Sequence, residues 1–172
     1  MTRHSAVTVR ILGIDPGIAT LGFGIIDVVG SSSVHVSHGV IRTLAGSPPE
    51  QRLATIASDM QELLETYAPQ EVAVEQLFFA KNTTTAMRVA EARGVALASI
   101  AASGRSVAEY TPLQVKEAIG GSGSASKREI QEMVRRLLKL TRSPSPDDAA
   151  DALAIALTHR VRRRIAQLPK RT

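Results

Sequence analysis

Asp15 and Glu75 are acids set in apolar sequence, and residues of this type in this setting can do chemistry. Asp15 closes the run Ile11-Leu12-Gly13-Ile14, where a buried carboxylate is costly without partners. Glu75 follows Val72-Ala73-Val74 and precedes Gln76-Leu77-Phe78-Phe79. Each also has an ordinary reading: Asp15 as the opener of an Asp-Pro-Gly turn, Glu75 as a solvent-facing acid on an edge strand. A third block, Ser143 to Ala156, carries Asp147, Asp148 and Asp151. Ser145 suits a helix N-cap, Pro146 the first helical position, and acids in the first turn favour the helix dipole. That accounts for Asp147 and Asp148 but poorly for Asp151, one turn further in among alanines and a leucine. A spacing of three puts Asp148 and Asp151 on one helical face.

Two strand acids and a helical acid pair form a set with a definite use. Neighbouring carboxylates raise one another's pKa unless cations neutralise them. The chain has no cysteine, and its four histidines (4, 35, 38 and 159) show no ligand spacing. Hard oxygen donors alone point to Mg²⁺ or Mn²⁺ rather than zinc. Two such ions about 3.5–4 Å apart can activate a water and stabilise the leaving oxygen of a phosphodiester. The chemistry expected is therefore metal-dependent phosphodiester hydrolysis.

The elements that must position these acids are legible from the hydrophobic pattern. Residues 7–14, 21–26 and 34–43 read as strands with short turns between them, an antiparallel meander. After Pro48-Pro49 the period changes, and Leu53, Ile56, Ala57, Met60, Leu63 and Leu64 fall on one helical stripe. A short strand at 71–75, an alanine-rich helix at 82–103 and a strand at 106–110 follow. A short helix after Pro112, a Gly/Ser loop, a helix over 126–140 and a last helix from Pro146 complete the order βββ-α-β-α-β-α-α-α. This is one α/β domain.

Composition agrees. With 172 residues and 44% apolar content, the chain can bury roughly 70% of its unfolded surface and needs no disulfide. The net charge of +5 is unevenly placed. Residues 1–104 hold 7 Lys+Arg and 9 Asp+Glu; residues 105–172 hold 14 and 7. A basic half suggests a polyanion partner, although six of those fourteen lie between Arg160 and Arg171 and also read as a solvated tail. No apolar run approaches a membrane span. Met1 to Val9 lacks the apolar core of a secretory signal, so a cytoplasmic location is expected.

At this point the motifs resemble a known family. Ile11-Leu12-Gly13-Ile14-Asp15-Pro16-Gly17, Glu75-Gln76-Leu77-Phe78 with Ala80-Lys81-Asn82, Ala92-Arg93-Gly94-Val95-Ala96, and Asp148-Ala149-Ala150-Asp151-Ala152-Leu153-Ala154 are similar, in order, to blocks of the bacterial RuvC Holliday junction resolvases. The resemblance implies a ribonuclease-H-like fold: a five-stranded mixed sheet with helices on both faces. It implies symmetric paired nicks in four-way DNA junctions by a homodimer using Mg²⁺ or Mn²⁺, two ions per subunit. It also implies partner motors of the RuvA and RuvB type that bind junctions and move the branch point. Carried over by position, the acidic ligands are Asp15, Glu75, Asp148 and Asp151, with Asp148 preferred over Asp147 for its spacing to Asp151. Lys81, Arg88, Lys116 and Lys127 fall among DNA-contacting positions, and Phe78 at an aromatic that stacks on a base. The nuclease domain is expected to span 1–160, followed by a basic tail, 161–172, outside the matching blocks.

Plainer readings stand beside these. Phe78 and Phe79 could both be core, Lys127 a solvated first-turn residue, and the alanine-rich helix ordinary packing or a surface for a second copy. His159, next to Arg160, could assist phosphate binding. Gly13-Ile14-Asp15-Pro16-Gly17 is also similar to the phosphate loop of actin- and sugar-kinase-type ATPases, which need two lobes and a much longer chain. A related nuclease acting on RNA or another branched DNA is the nearer alternative.

Overall fold

Strand alternation decides which side chains meet in this protein. The computed structural model describes residues 8–77 and 83–166. The strands are β1 (Thr8–Asp15), β2 (Thr20–Val29), β3 (Ser32–Arg42), β4 (Glu71–Glu75) and β5 (Val107–Tyr110). They form one sheet in the order β3-β2-β1-β4-β5. The first three make the expected antiparallel meander, while β4 and β5 run parallel to β1. Helices α1 (Pro49–Tyr67) and α2 (Thr83–Ala102) separate the parallel strands in sequence, as parallel pairing requires. Helices α3 (Pro112–Gly120), α4 (Lys127–Leu137) and α5 (Asp147–Ala166) complete the chain. Among the described residues, no helix is long and apolar enough to cross a membrane.

The sheet has a core on each face, and the two cores take alternate residues. Leu12, Ile14, Leu21, Ile25, Val72 and Val74 pack with Ile56, Met60 and Leu64 of α1 and Ala92, Ala96 and Ile100 of α2. Ile11, Ile26, Val28 and Ala73 pack on the other side with α3, α4 and α5. This is the mixed, helix-flanked ribonuclease-H-like sheet that the motifs imply. The period of two then extends beyond the apolar residues. Ile11 and Ala73 face α5, so Asp15 and Glu75, each at an even spacing from them, turn to α5 as well.

α5 lies unusually close to the sheet because glycine and alanine line the contact. A Cβ at Gly22 would stand 2.0 Å from the carbonyl oxygen of Asp148, and one at Gly13 2.1 Å from that of Ala152. From Ala149 to Thr158 every α5 residue except Asp151 is buried. A helix covered by the sheet beneath and by α3 and α4 above reads as apolar nearly all round.

Several boundaries differ from the sequence expectation. α4 ends at Leu137 rather than near 140, and Lys139 adopts a left-handed conformation (φ 53°) that helical propagation does not tolerate. α5 begins at Asp147, with the Pro146 carbonyl accepting from the N–H groups of Ala149 and Ala150. It runs past residue 160 through Ala166, and Arg163 pairs with Glu71 through two nitrogens, Nε and Nη2, each at 2.8 Å. The basic residues of this stretch thus belong to a helix, and residues 167–172 lie outside the described ones. In β3 a bulge sets His35 against Ile26 but Ser37 against Ile25. It brings His35 Nε2 to 2.7 Å from His38 Nδ1, which regular alternation would prevent.

Candidate metal centre and active site

Three chain segments far apart in sequence converge at one end of the sheet. β1 ends in Asp15, β4 ends in Glu75, and α5 begins with Asp147, Asp148 and Asp151. Carboxylate oxygens of Asp15, Asp148 and Asp151 all lie within 4.8 Å of one another, and all three residues are half-buried. Glu75, at the end of the neighbouring strand, stands close enough to Asp15 for its charge to raise the Asp15 carboxyl. β4 is an interior strand between β1 and β5, so the edge-strand reading of Glu75 fails.

Assembling these acids is electrostatically unfavourable in the absence of a cation. The Asp15 carboxyl is pushed up to about 8, by burial first and then by Glu75, Asp151 and Asp148. Burial, with Asp151 adding to it, also raises Glu75. Asp151 is raised by burial, against an opposing hydrogen bond from Lys127. A half-buried cluster of hard oxygen donors that holds protons this tightly suits a small divalent cation, which restores the ionised forms. The donor set fits Mg²⁺ or Mn²⁺.

Neighbouring groups fix the acids in place. Thr20 at the start of β2 donates from Oγ1 to Asp148 Oδ2 at 2.6 Å. Arg93 of α2 donates from Nε to the Glu75 carbonyl at 3.2 Å and from Nη2 to Glu109 at 2.5 Å. The next residue, Gln76, donates its N–H to the Tyr110 carbonyl at 2.8 Å. The main chain that carries Glu75 is thus held from α2 and from β5. Neither Thr20 nor Arg93 was assigned a role from sequence. The signal for Thr20 was its parity with Gly22 on β2, which is meaningful only once α5 is known to cover that face.

The basic residues divide. Lys127 Nζ is 3.0 Å from Asp151 and 3.4 Å from Asp147, which excludes a freely solvated first-turn lysine. Lys116 joins Lys127, Glu75 and Asp151 in lining a cleft of about 210 Å³ beside the acids. Arg88 lies on α2 paired with Glu91 at 3.3 Å and is not part of that cleft. Phe78 and Lys81 lie outside the described residues. His159 is not a phosphate-facing residue: its ring joins Tyr110 Oη and Glu71, each at 2.8 Å. Glu71 shares the face of Glu75 but stands at the opposite end of β4, so His159 serves the packing of α5 there.

Known proteins place this geometry. The family model for crossover junction endodeoxyribonuclease RuvC matches residues 11–159. The RuvC of Brevibacillus brevis is 55% identical over 150 residues, 87% of this chain and 90% of its own. That of Thermomicrobium roseum is 50% identical over 163 residues, 95% and 99% of the two chains. Among solved structures, Thermus thermophilus RuvC in complex with a Holliday junction substrate superposes with a TM-score of 0.88 at 38% identity, covering 92% of this chain and 96% of that one. With its strand acids and helical acids gathered beneath a lysine in the shared fold, this chain belongs to the RuvC family of crossover junction endodeoxyribonucleases.

Proposed function

We propose that this protein is a metal-dependent endonuclease that resolves four-way DNA junctions by symmetric paired nicks, in recombination and repair. The observation that carries this reading is the convergence of Asp15, Asp148 and Asp151 within 4.8 Å, with Glu75 acting electrostatically on Asp15, in a chain of this family.

Asp15, Glu75, Asp148 and Asp151 hold the metal, two ions per subunit in this reading. Bound Mg²⁺ or Mn²⁺ supplies Lewis-acid polarisation of the phosphate and lowers the pKa of the attacking water. The chain's own residues do the rest. Thr20 orients Asp148, and Arg93 fixes the main chain behind Glu75. Lys116 and Lys127, on the same cleft, receive the negative oxygens of the scissile phosphate, where charge builds in the transition state. The water oxygen bonds to phosphorus, the bond to the 3′ oxygen breaks, and that oxygen leaves with a proton. The products carry a 5′-phosphate and a 3′-hydroxyl. Phe78 stacks on an unpaired base, while Lys81 and Arg88 contact the backbone of the junction arms. A homodimer presents one such cleft to each of two opposing strands, on junctions supplied by RuvA- and RuvB-type motors.

A four-way junction and a linear duplex of matched sequence, each with and without Mg²⁺ or Mn²⁺, test this function. Paired nicks at symmetric positions, in the junction alone and only with metal, are expected. Asp15→Asn should bind the junction without cutting it. Equal cutting of the linear duplex would overturn junction specificity.

A further inference from the structure

The metal-centre reading leaves Asp147 without a task, yet its carboxylate is more ordered by its neighbours than an exposed first-turn acid requires. Gln131 of α4 donates from Nε2 to Asp147 Oδ1 at 3.1 Å, which leaves Oδ2 facing Lys127 Nζ at 3.4 Å. The same ammonium is 3.0 Å from Asp151 Oδ2. Lys127 therefore bridges an acid of the metal cluster and an acid outside it.

The position of Lys127 is unfavourable for its own helix. It is the first residue of α4, where the helix dipole disfavours a cation. Its place is nevertheless fixed, because Ser126 and Glu129 form a reciprocal capping box around it. The sequence thus anchors a positive charge at the wrong end of α4 and aims it at α5. Lys116 lines the same cleft but forms no ion pair among the described residues.

We propose that Lys127 is the counter-ion of Asp151 in the metal-free protein, and that Asp147 is the seat to which it moves when a divalent cation takes Asp151. The inference rests on the metal-centre reading above. Lys127 and Asp147 are then positioning residues with respect to the metal. Lys127 keeps the acidic cluster compensated before metal arrives. Asp147, held by Gln131 independently of Lys127, retains the ammonium beside the cleft afterwards. Once Asp151 no longer shares the ammonium, a closer pairing with Asp147 becomes available.

Calorimetric titration of the full chain with Mn²⁺, without DNA, tests this. Lys127→Met should tighten Mn²⁺ binding about fivefold, because a direct competitor is gone, and Lys116→Met by less than about twofold, because it changes only the surrounding field. Asp147→Asn should weaken binding about threefold when Lys127 is present and by less than about twofold in the Lys127→Met background. Equal tightening by the two lysine variants would overturn the counter-ion role. Equal weakening by Asp147→Asn in both backgrounds would overturn the transfer. Absence of Mn²⁺ binding to the unaltered protein would instead overturn the metal-centre reading itself.

Discussion

The hydroxyl of Thr20 and the carboxylate of Asp148 are 2.6 Å apart although 128 residues separate them in the chain. Thr20 opens β2 and Asp148 lies in the first turn of α5, so this hydrogen bond ties the start of β2 to the acidic cluster. The bond from Thr20 to Oδ2 fixes the orientation of the Asp148 carboxylate. Outer-shell partners of metal ligands commonly matter about 10- to 100-fold in affinity or rate. Thr20→Val keeps the shape and removes the donor. It should slow junction cleavage at least about tenfold and raise the Mn²⁺ concentration needed, with junction affinity kept. Thr20→Ser should restore most of the rate, and a Thr20→Val enzyme of normal rate would remove the hydroxyl from the account.

Asp15 makes a prediction about stability whose sign is opposite to the usual loss on mutation. Its folded-state pKa of about 8 stands well above the ordinary value of 3.8, so the folded protein binds this proton more tightly than the unfolded chain does. The metal-free protein should therefore lose stability as pH rises from about 4 to about 8, with little further change from this group above that. Asp15→Asn removes the repulsion along with the ligand. In EDTA at pH 8 it should melt a few degrees above the unaltered protein, corresponding to about 1–3 kcal/mol at this chain length. Excess Mg²⁺ should raise the unaltered protein more than the variant and narrow or reverse the gap. A lower melting temperature for Asp15→Asn in EDTA would mean that the cluster is not strained by its own charge.

Much of this was legible because it depends on local pattern. The apolar run through Ile14 located β1, the Asp15-Pro16-Gly17 turn separated it from β2, and Pro48-Pro49 marked the start of α1. The three-residue step between Asp148 and Asp151 placed two acids on one helical face before any tertiary contact was known. What sequence could not carry was long-range. Thr20 is an ordinary strand residue until α5 is laid over it. His159 sits beside arginines in sequence, but α5 turns it to Tyr110 and Glu71. His35 and His38 meet only because a bulge breaks the period of two. The basic stretch after Arg160 read as a tail because its charge hides the helix, and the pairing of Arg163 with Glu71 depends on where β4 begins. Among the acids, only the spacing to Asp151 set Asp148 ahead of Asp147 in the sequence. Lys127 and Gln131, both on another helix, distinguish them.

Gly22 was read only as part of a strand, yet it sets the height of the site. A Cβ there would meet the Asp148 carbonyl oxygen at 2.0 Å, far inside van der Waals contact, and both atoms are backbone-anchored. Gly22→Ala must therefore lift the first turn of α5 off β2 or bend the strand. Overpacking of this kind costs about 3 kcal/mol, roughly 6–12 °C in melting temperature for a chain of this length. Because Asp148 is the residue displaced, the loss should not be confined to stability. Well below the melting temperature, Gly22→Ala should still bind Mn²⁺ at least about tenfold more weakly, since a misplacement of an ångström at a ligand is enough to spoil a shared site. Gly24→Ala provides the comparison. Its Cβ would meet the backbone nitrogen of Leu153 at 2.6 Å, beyond both helical acids. Gly24→Ala should lose comparable stability with a smaller loss of metal affinity. Equal losses of affinity in the two variants would show that Gly22 supports α5 as a whole rather than the placement of Asp148.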